Sequence, residues 1–248
     1  MPGKNTEKSS LLNKVAVVTG GTRGIGLAIA ERLLEEGVKV AFCGTRRESV
    51  DAAMAQFFSH GFGEAMGEVA DVSKLDQVKT FVAAVMDRFG GIDILINNAG
   101  AGVFRPVAEL TPEEWDRMIA LNLSGVYYCC HEILPILINK HGGDIINISS
   151  LAAKNPFAGG AGYNASKFGL NGFSEAMMLD HRREGVRVSS IMPGSVATEF
   201  GGLGADAGAD WKIAPEDIAE VVMTLLKMPA RTTVSRVEIR PSKPPRKA

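Results

Sequence analysis

The strongest constraint on the fold is a regular alternation of short apolar runs and helix-like segments along the whole chain. The run "KVAVVTG" (14–20) is rich in β-branched residues, and "GLAIAERLLEEG" (26–37) follows with apolar residues at helical spacing and a closing glycine. Six further strand-like runs follow, "VKVAFCG" (38–44), "EAMGEVAD" (64–71), "IDILINNAG" (92–100), "DIINISS" (144–150), "VRVSSIMPG" (186–194) and "SRVEIR" (235–240). Helical patterns lie between them at 46–59, 73–89, 111–139, 161–184 and 215–227.

This alternation predicts an α/β fold: a doubly wound Rossmann-type domain with a seven-stranded, mostly parallel sheet and helices on both faces. The 248 residues contain no internal repeat and no linker, so we expect a single domain over 1–248. The ends, 1–12 and 241–248, are expected to be flexible.

Charge and composition exclude several classes of partner. The 27 basic and 28 acidic residues nearly cancel, which gives no support to nucleic-acid or membrane-surface binding. The start of the chain has no apolar signal segment, and no apolar run approaches the roughly 18 residues that span a membrane. The sequence therefore predicts a soluble cytoplasmic protein.

Cysteine and histidine usage indicates neither disulfides nor a metal site. Cys43, Cys129 and Cys130 are typical of small core residues in a reducing compartment. The four histidines have no metal-ligand spacing, so no metal is expected.

A glycine-rich segment, "TGGTRGIG" (19–26), lies between the first strand and the first helix. Gly20, Gly24 and Gly26 would allow a tight turn and a close approach of the helix N-terminus to the pyrophosphate of a dinucleotide. Their spacing departs from the common dinucleotide fingerprint. A turn that merely needs positive φ angles is therefore an open alternative.

The segment after the second strand bears on the choice of cofactor. An acidic residue there usually binds the ribose of NAD, whereas arginine accommodates the 2′-phosphate of NADP. This chain reads "CGTRRE" (43–48), with Thr45 and Arg46 at the relevant positions and Arg23 inside the glycine turn. We therefore expect NADP(H) to be favoured over NAD(H). The alternative is that these arginines are solvated surface groups.

Tyr163 and Lys167 lie four residues apart in "GYNASKFGL" (162–170), which places both on one face of a helix. A cation one turn away would lower the pKa of the phenol and allow it to exchange a proton. Ser150 ends the fifth strand and could bond a substrate carbonyl, and Asn122 could hold a water or backbone group that relays protons to Lys167. Each of these features has an alternative explanation. Tyr163 and Lys167 would be an exposed pair on a helix surface, and the two serines would only stabilise a turn, which is the role we assign to Ser149. Asn122 would be an amide whose hydrogen bonds are made locally.

Together these segments resemble the short-chain dehydrogenase/reductase family, in its short form, over about residues 13–240. The matching segments occur in family order: "TGGTRGIG" (19–26), "DV" (71–72), "NNAG" (97–100), the Asn122 of "LNLSG", the Ser150 of "NISS", "YNASK" (163–167) and "PGSVAT" (193–198).

The resemblance implies a role for each matched residue. Tyr163 would be the general acid/base, and Lys167 would modify its pKa and bind the ribose. Ser150 would orient the substrate, and Asn122 would support the proton relay. The resemblance also implies which residues bind the cofactor. They are Gly20, Thr22, Arg23, Gly24, Ile25, Gly26, Thr45, Arg46, Asp71, Val72, Asn98, Ala99, Gly100, Tyr163, Lys167, Pro193, Gly194, Val196 and Thr198.

The resulting hypothesis is an NADP(H)-dependent oxidoreductase that interconverts a ketone and a secondary alcohol of a small-molecule substrate. Phe157, Phe200, Leu203 and Trp211 are candidate pocket walls. The 195–214 loop carries no recognisable specificity pattern, so the substrate is not predicted. By resemblance, helices 111–139 and 161–184 would form a homodimer or homotetramer interface.

Two alternatives stay open. One is a 3-oxoacyl-acyl-carrier-protein reductase, which would need a basic docking surface; Arg105, Lys154 and Arg182 are scattered, and the ending "VSRVEIRPSKPPRK" departs from the family's glycine-rich strand. The other is a non-catalytic nucleotide-binding regulatory subunit, which the presence of both Tyr163 and Lys167 disfavours. A methyl transferase with the same sheet would need an acidic residue to bind the ribose after the second strand. Gly44 occupies that position, which disfavours this class.

Overall fold

The computed structural model describes residues 11–200 and 210–245. Within them, seven strands form one sheet: β1 (Val15–Thr19), β2 (Lys39–Gly44), β3 (Ala65–Val69), β4 (Ile94–Asn97), β5 (Gly143–Ile148), β6 (Val186–Pro193) and β7 (Arg236–Ile239). Their order is β3-β2-β1-β4-β5-β6-β7, and every neighbouring pair is parallel. The predicted doubly wound fold is thus confirmed, with an entirely parallel sheet rather than a mostly parallel one.

The helices follow the predicted stretches closely. They are α1 (Gly24–Glu35), α2 (Arg47–Ser59), α3 (Leu75–Phe89), α4 (Pro112–Ile119), α5 (Gly125–Asn139), α6 (Ala161–His181) and α7 (Pro215–Leu226). The stretch 161–184 ends as a short 3₁₀ turn, Arg182–Glu184, before Gly185 at φ 80°.

The predicted helix 111–139 is not one uninterrupted α-helix. A π-helical segment, Ala120–Ser124, separates α4 from α5. Asn122 lies in this segment, and its amide bonds the backbone of Ala101 on a neighbouring loop. A π-helical turn is rare, and where it interrupts an α-helix it is frequently found at a functional site.

Helix ends carry the expected capping chemistry. Thr111 and Glu114 form a reciprocal capping box at α4, with Pro112 at the first helical position. At α7 the Asp217 carboxylate accepts a hydrogen bond from the backbone N–H of Ala214 (3.0 Å). These bonds fix where each helix leaves its preceding loop.

The sheet is buried on both faces, as a parallel sheet requires. In β1, Ala16 and Val18 face a core formed with α1, α2 and α7, whereas Val15 and Val17 face a core formed with α3, α5 and α6. Each fully buried leucine or isoleucine in these layers contributes about 1.5–3 kcal/mol relative to exposure. The two apolar layers therefore hold the strand ends in fixed positions.

The three cysteines are buried, as predicted for core residues. Burial raises the pKa of Cys43 and of Cys130 to about 12, and that of Cys129 well above its ordinary value. They are therefore protonated core side chains.

One helical stretch among the described residues, Pro112–Asn139, is long and apolar enough to cross a membrane by length and composition alone. Core helices of soluble proteins pass the same criterion, and this stretch contributes Val126, Ile133 and Leu137 to the core.

Strand order decides where a ligand can bind. From β1 the chain proceeds outward to β2 and β3 on one side, then returns to β4 on the other side of β1. The crevice at the carboxyl ends of β1 and β4 is the switch point where doubly wound sheets bind their ligands.

Candidate active site

A cleft of about 1530 Å³ opens at the carboxyl edge of the sheet. Most of the predicted site residues line it: Gly20, Thr22, Arg23, Gly24, Ile25, Thr45, Asp71, Val72, Asn98, Ala99, Gly100, Ser150, Tyr163, Pro193, Gly194, Val196 and Thr198. Gly26, Asn122 and Lys167 are buried and do not line the cleft, whereas Arg46 is exposed and outside its lining.

The glycine turn is held against the end of β4. Gly20 (φ 64°) and Gly24 (φ 54°) adopt left-handed backbone conformations that favour glycine. The Asn98 amide donates to the carbonyls of Thr19 and Gly20, both at 3.0 Å. The Thr19 hydroxyl accepts from the backbone N–H groups of Asn98 and Ala99, also at 3.0 Å.

The N-terminus of α1 is suited to an anion. Arg23, at the N-cap, makes no side-chain capping bond, and the first turn contains no acidic residue. Gly24 and Ile25 at this end line the cleft. Free N–H groups and the positive end of the helix dipole are the usual partners of a pyrophosphate, so these residues fit a dinucleotide.

Gly26 permits the close contact between turn and helix. A Cβ there would lie 2.2 Å from the Gly20 oxygen and 2.4 Å from Asn98 Nδ2. We expect Gly26→Ala to destabilise the protein by about 2–3 kcal/mol, which lowers the melting temperature by roughly 5–10 °C. Gly172→Ala is the matched control, because its Cβ would meet open space on α6. Thermal unfolding of both variants checks this, and equal melting temperatures would contradict it.

On the side of the cleft that follows β2, Thr45 and Arg23 line the wall. A Cβ on Gly44 would lie 2.5 Å from Thr22 Cγ2, so a larger residue at this position would have to displace the Thr22 side chain. Arg23 forms an exposed ion pair across the cleft with Glu199 (Nη1 to Oε2, 2.7 Å). Asp71 accepts bonds from the backbone and hydroxyl of Ser73 at 2.9 and 2.8 Å, which orients its loop.

Tyr163 and Lys167 lie one turn apart on α6, and both are buried. The Lys167 ammonium is 5.9 Å from the centroid of the Tyr163 ring and donates to the Ile148 carbonyl at 2.9 Å. Because burial penalises the cation, the pKa of Lys167 falls to about 8. An amine with this pKa is still mostly protonated at neutral pH.

The pKa of Tyr163 shifts in the direction opposite to the one expected from sequence. Burial raises the pKa of Tyr163, and a hydrogen bond with Ser150 lowers it in part. The prediction of a lowered value is wrong for the protein alone, because desolvation of the ring outweighs the neighbouring groups. The Ser150 oxygen also accepts from the backbone N–H of Ala152 at 3.1 Å, which fixes the serine.

The Asn122 side chain bonds a backbone group, which is one of the two partners that the sequence analysis proposed for it. Its Oδ1 accepts from the Ala101 N–H, and its Nδ2 donates to the Ala101 carbonyl, both at 2.8 Å. Nδ2 also donates to the Ser166 hydroxyl at 2.9 Å on α6. A Cβ on Gly100 would lie 3.2 Å from Asn122 Oδ1 and 3.8 Å from Lys167 Nζ. The asparagine thus ties the π-helical segment to the loop after β4 and to the helix that carries Tyr163.

Two of the four residues predicted to form the pocket wall line the cleft. Phe157 and Phe200 line the cleft. Trp211 does not line the cleft, but its neighbour Lys212 does. The Lys212 ammonium is 5.9 Å from the centroid of the Trp211 ring. Leu203 lies outside the described residues.

Sequence reasoning missed Phe104 and Glu199, and undervalued Ser149. Phe104 lies in the loop after β4, and an apolar residue just beyond a strand's carboxyl end was the available signal. Ser149 reaches the cleft, although its hydroxyl donates to Asn171 Oδ1 at 2.7 Å. Glu199 became visible only through its contact with Arg23.

A doubly wound fold with a glycine turn, an open helix N-terminus and a buried tyrosine–lysine pair defines a dinucleotide-dependent oxidoreductase. The model of the short chain dehydrogenase family matches residues 14–204. An uncharacterized oxidoreductase of Staphylococcus saprophyticus is 37% identical over 233 residues, covering 93% of this chain and 98% of that protein. A 3α-hydroxysteroid dehydrogenase of Mediterraneibacter gnavus is 33% identical, covering 87% of this chain and 90% of that protein.

Among solved structures, a metagenomic short-chain oxidoreductase in complex with NADP superposes with a TM-score of 0.83 at 39% identity, covering 95% of this chain and 100% of that one. The chain therefore belongs to the short-chain dehydrogenase/reductase family.

Proposed function

We propose that the protein is an NADP(H)-dependent oxidoreductase that interconverts a ketone and a secondary alcohol, with Tyr163 as the general acid/base. The observation that carries the proposal is that Tyr163 and Ser150 both line the cleft and that Tyr163 lies one helical turn from Lys167. The structural relative in complex with NADP supports the choice of cofactor.

The cofactor would be held by residues that fit it. The α1 N-terminus would bind the pyrophosphate, Arg23 and Thr45 would lie at the 2′-phosphate, and the residues 193–198 would lie at the nicotinamide end. NADPH, when bound, supplies the hydride.

Tyr163 would give its proton to the carbonyl oxygen during reduction and take it back during oxidation. Ser150, which lines the cleft with Tyr163, would hold the same oxygen. Lys167 would stabilise the resulting phenolate, because its ammonium is largely charged at neutral pH with a pKa of about 8. Asn122 would keep α6 in register with the loop that ends at Ala101.

The preference for NADPH over NADH in single variants tests whether Arg23 or Arg46 binds the 2′-phosphate. Arg23→Ala should raise the KM for NADPH by roughly tenfold, since a charge-assisted bond to phosphate is lost, and should leave that for NADH nearly unchanged. Arg23 must exchange Glu199 for the phosphate, and an exposed pair of this kind contributes only about 0–1 kcal/mol. Arg46→Asp should shift preference towards NADH.

Arg47→Ala is the control, because Arg47 pairs with Asp51 on the exposed side of α2. Steady-state kinetics with both cofactors gives the readout. An unchanged ratio of NADPH to NADH efficiency in both test variants would assign the phosphate to another group.

Carrier-protein reduction receives less support. Arg105 already pairs with Glu114 and Lys154 with Glu238, so neither adds an uncompensated charge to a basic docking surface. Arg182 lies in the turn after α6. Retention of Tyr163 and Lys167 in a shared, buried arrangement supports turnover over a purely regulatory role.

The homodimer or homotetramer and the cytoplasmic location stay predictions. Tyr127 on α5 and Phe168 and Leu179 on α6 are exposed apolar side chains, which supports an interface along these helices.

The test of the proposed function is a substrate screen of the purified protein. NADPH and a panel of small ketones are mixed with it, and the absorbance of the reduced nicotinamide is followed. We expect ketone-dependent loss of absorbance that is faster with NADPH than with NADH. A panel without any turnover in either direction would refute the assignment.

A further inference from the structure

Three phenylalanine rings are grouped at Tyr163. The centroid of the Phe104 ring is 5.5 Å from that of Tyr163 in an edge-to-face arrangement of 83°, and the centroid of Phe200 is 5.7 Å from it. Phe157 extends the group, with its centroid 5.7 Å from that of Phe104. All three rings line the cleft and are 39%, 38% and 45% exposed for Phe104, Phe200 and Phe157, respectively.

The rings come from three different parts of the chain. Phe104 follows β4, Phe157 follows β5 and Phe200 follows β6. Each therefore lies beyond the carboxyl end of a strand, where a substrate would approach the Tyr163 hydroxyl. Half-exposed phenyl rings that converge on one polar group are typical of the apolar wall of a binding pocket.

Two glycines make room for these rings. A Cβ on Gly102 would lie 2.8 Å from Phe200 Cε1 and 2.9 Å from Phe104 Cζ. A Cβ on Gly160 would lie 2.6 Å from Phe157 Cε2. Real Cβ atoms do not approach this closely, so the rings occupy space that any other residue at these positions would fill.

Two charges that lie close to the rings along the chain are already compensated. Arg105, next to Phe104, pairs with Glu114 at 3.1 Å, and Lys154, near Phe157, pairs with Glu238 at 2.6 Å. The wall itself thus offers π faces and ring edges rather than a net charge, and a neutral planar ring is its best match.

We propose that the substrates are aryl ketones and the corresponding aryl carbinols, in which the reacting carbon is attached to a planar aromatic ring. This inference rests on the proposed function. Phe104, Phe157 and Phe200 determine this specificity by contact with the substrate ring, and Gly102 positions two of them.

The first test compares two ketones of matched size. Acetophenone and cyclohexyl methyl ketone have nearly the same size, but conjugation with the ring makes the acetophenone carbonyl less electrophilic. The ratio of their kcat/KM values is therefore compared between the wild type and Phe157→Leu, because the intrinsic difference in reactivity is the same for both proteins. We expect Phe157→Leu to lower the ratio of acetophenone to cyclohexyl methyl ketone by roughly 3- to 10-fold, the value of one or two aromatic contacts. Both ketones need Tyr163, so the ratio cancels any general damage to the proton transfer.

Gly102→Ala should displace Phe104 and Phe200 and reduce activity on acetophenone several-fold more than activity on acetone. Phe58→Leu is the matched control, because Phe58 is an exposed ring on α2 outside the cleft lining. That variant should leave the ratio as in the wild type.

A second readout does not depend on turnover. Calorimetry compares the binding of benzamide, whose carbonyl is not reduced, with that of cyclohexanecarboxamide. Tighter binding of benzamide that is lost in Phe157→Leu supports the assignment of the three phenylalanines to the binding of an aromatic ring. Where that binding is seen but no ketone is turned over, the proposed function fails and the ring-binding wall stands. Equal binding of the two amides by the wild type, or a ketone ratio that Phe157→Leu does not lower, overturns the inference while ketone reduction itself stands.

Discussion

Tyr163→Phe should reduce kcat for ketone reduction by about a thousandfold, since a positioned acid typically contributes 10² to 10⁴. The phenylalanine ring keeps the edge-to-face contact with Phe104, so the wall of the cleft is preserved. Cofactor binding, which rests mainly on the glycine turn, should change little.

The measurement pairs stopped assays of turnover with fluorescence titration of NADPH. Tyr128→Phe is the matched control, because Tyr128 lies on α5 and packs against the core beside α3 and α6. Wild-type turnover in Tyr163→Phe would remove the proposed acid, whereas loss of NADPH binding would point to a structural role of the hydroxyl.

Lys167→Met should lower turnover and raise the stability of the folded protein. Turnover should fall by about a hundredfold or more, because the phenolate loses its neighbouring cation. The protein without cofactor should become more stable at pH 7. Burial lowers the pKa of Lys167 from 10.5 to about 8, so the folded state bears the cost of a buried charge at pH 7. That cost is about 3 kcal/mol by linkage, offset by about 1 kcal/mol for the lost bond to Ile148.

The pH dependence separates this explanation from simple repacking. Between pH 8 and 10.5 the unfolded lysine binds more protons than the folded one, so wild-type stability gains on the variant as pH rises. The raised pKa of Tyr163 lowers the stability of the folded protein only above pH 10, so the measurements stay below that pH. Urea unfolding at pH 7, 8 and 9 gives the readout. A stability difference that does not narrow with pH would contradict the buried charge.

The sheet could be predicted from the sequence because its signals are local. β-branched runs such as that of β1, the proline and threonine before α4 and the glycine turn after β1 each act within a few residues. The sequence also indicated where Tyr163 and Ser150 would meet, because both follow from the end of β5 and the start of the next helix.

What sequence could not predict depends on contacts between distant residues. The π-helical segment forms where Asn122 bonds Ala101, 21 residues away, and no periodicity in the helix reveals it. The raised pKa of Tyr163 follows from how deeply α6 is packed rather than from the spacing to Lys167. Arg23 and Glu199 are 176 residues apart, and their pairing needs the folded cleft.

The three phenylalanines at the cleft belong to loops, whereas the groups proposed to move the proton are held by α6 and the end of β5. Recognition and chemistry are therefore carried by separable parts of the molecule. Loops that connect strands to helices tolerate replacement far better than packed helices do. A scaffold of this kind lends itself to retargeting: new side chains at three positions would change which compound is accepted, while the machinery behind them is left intact.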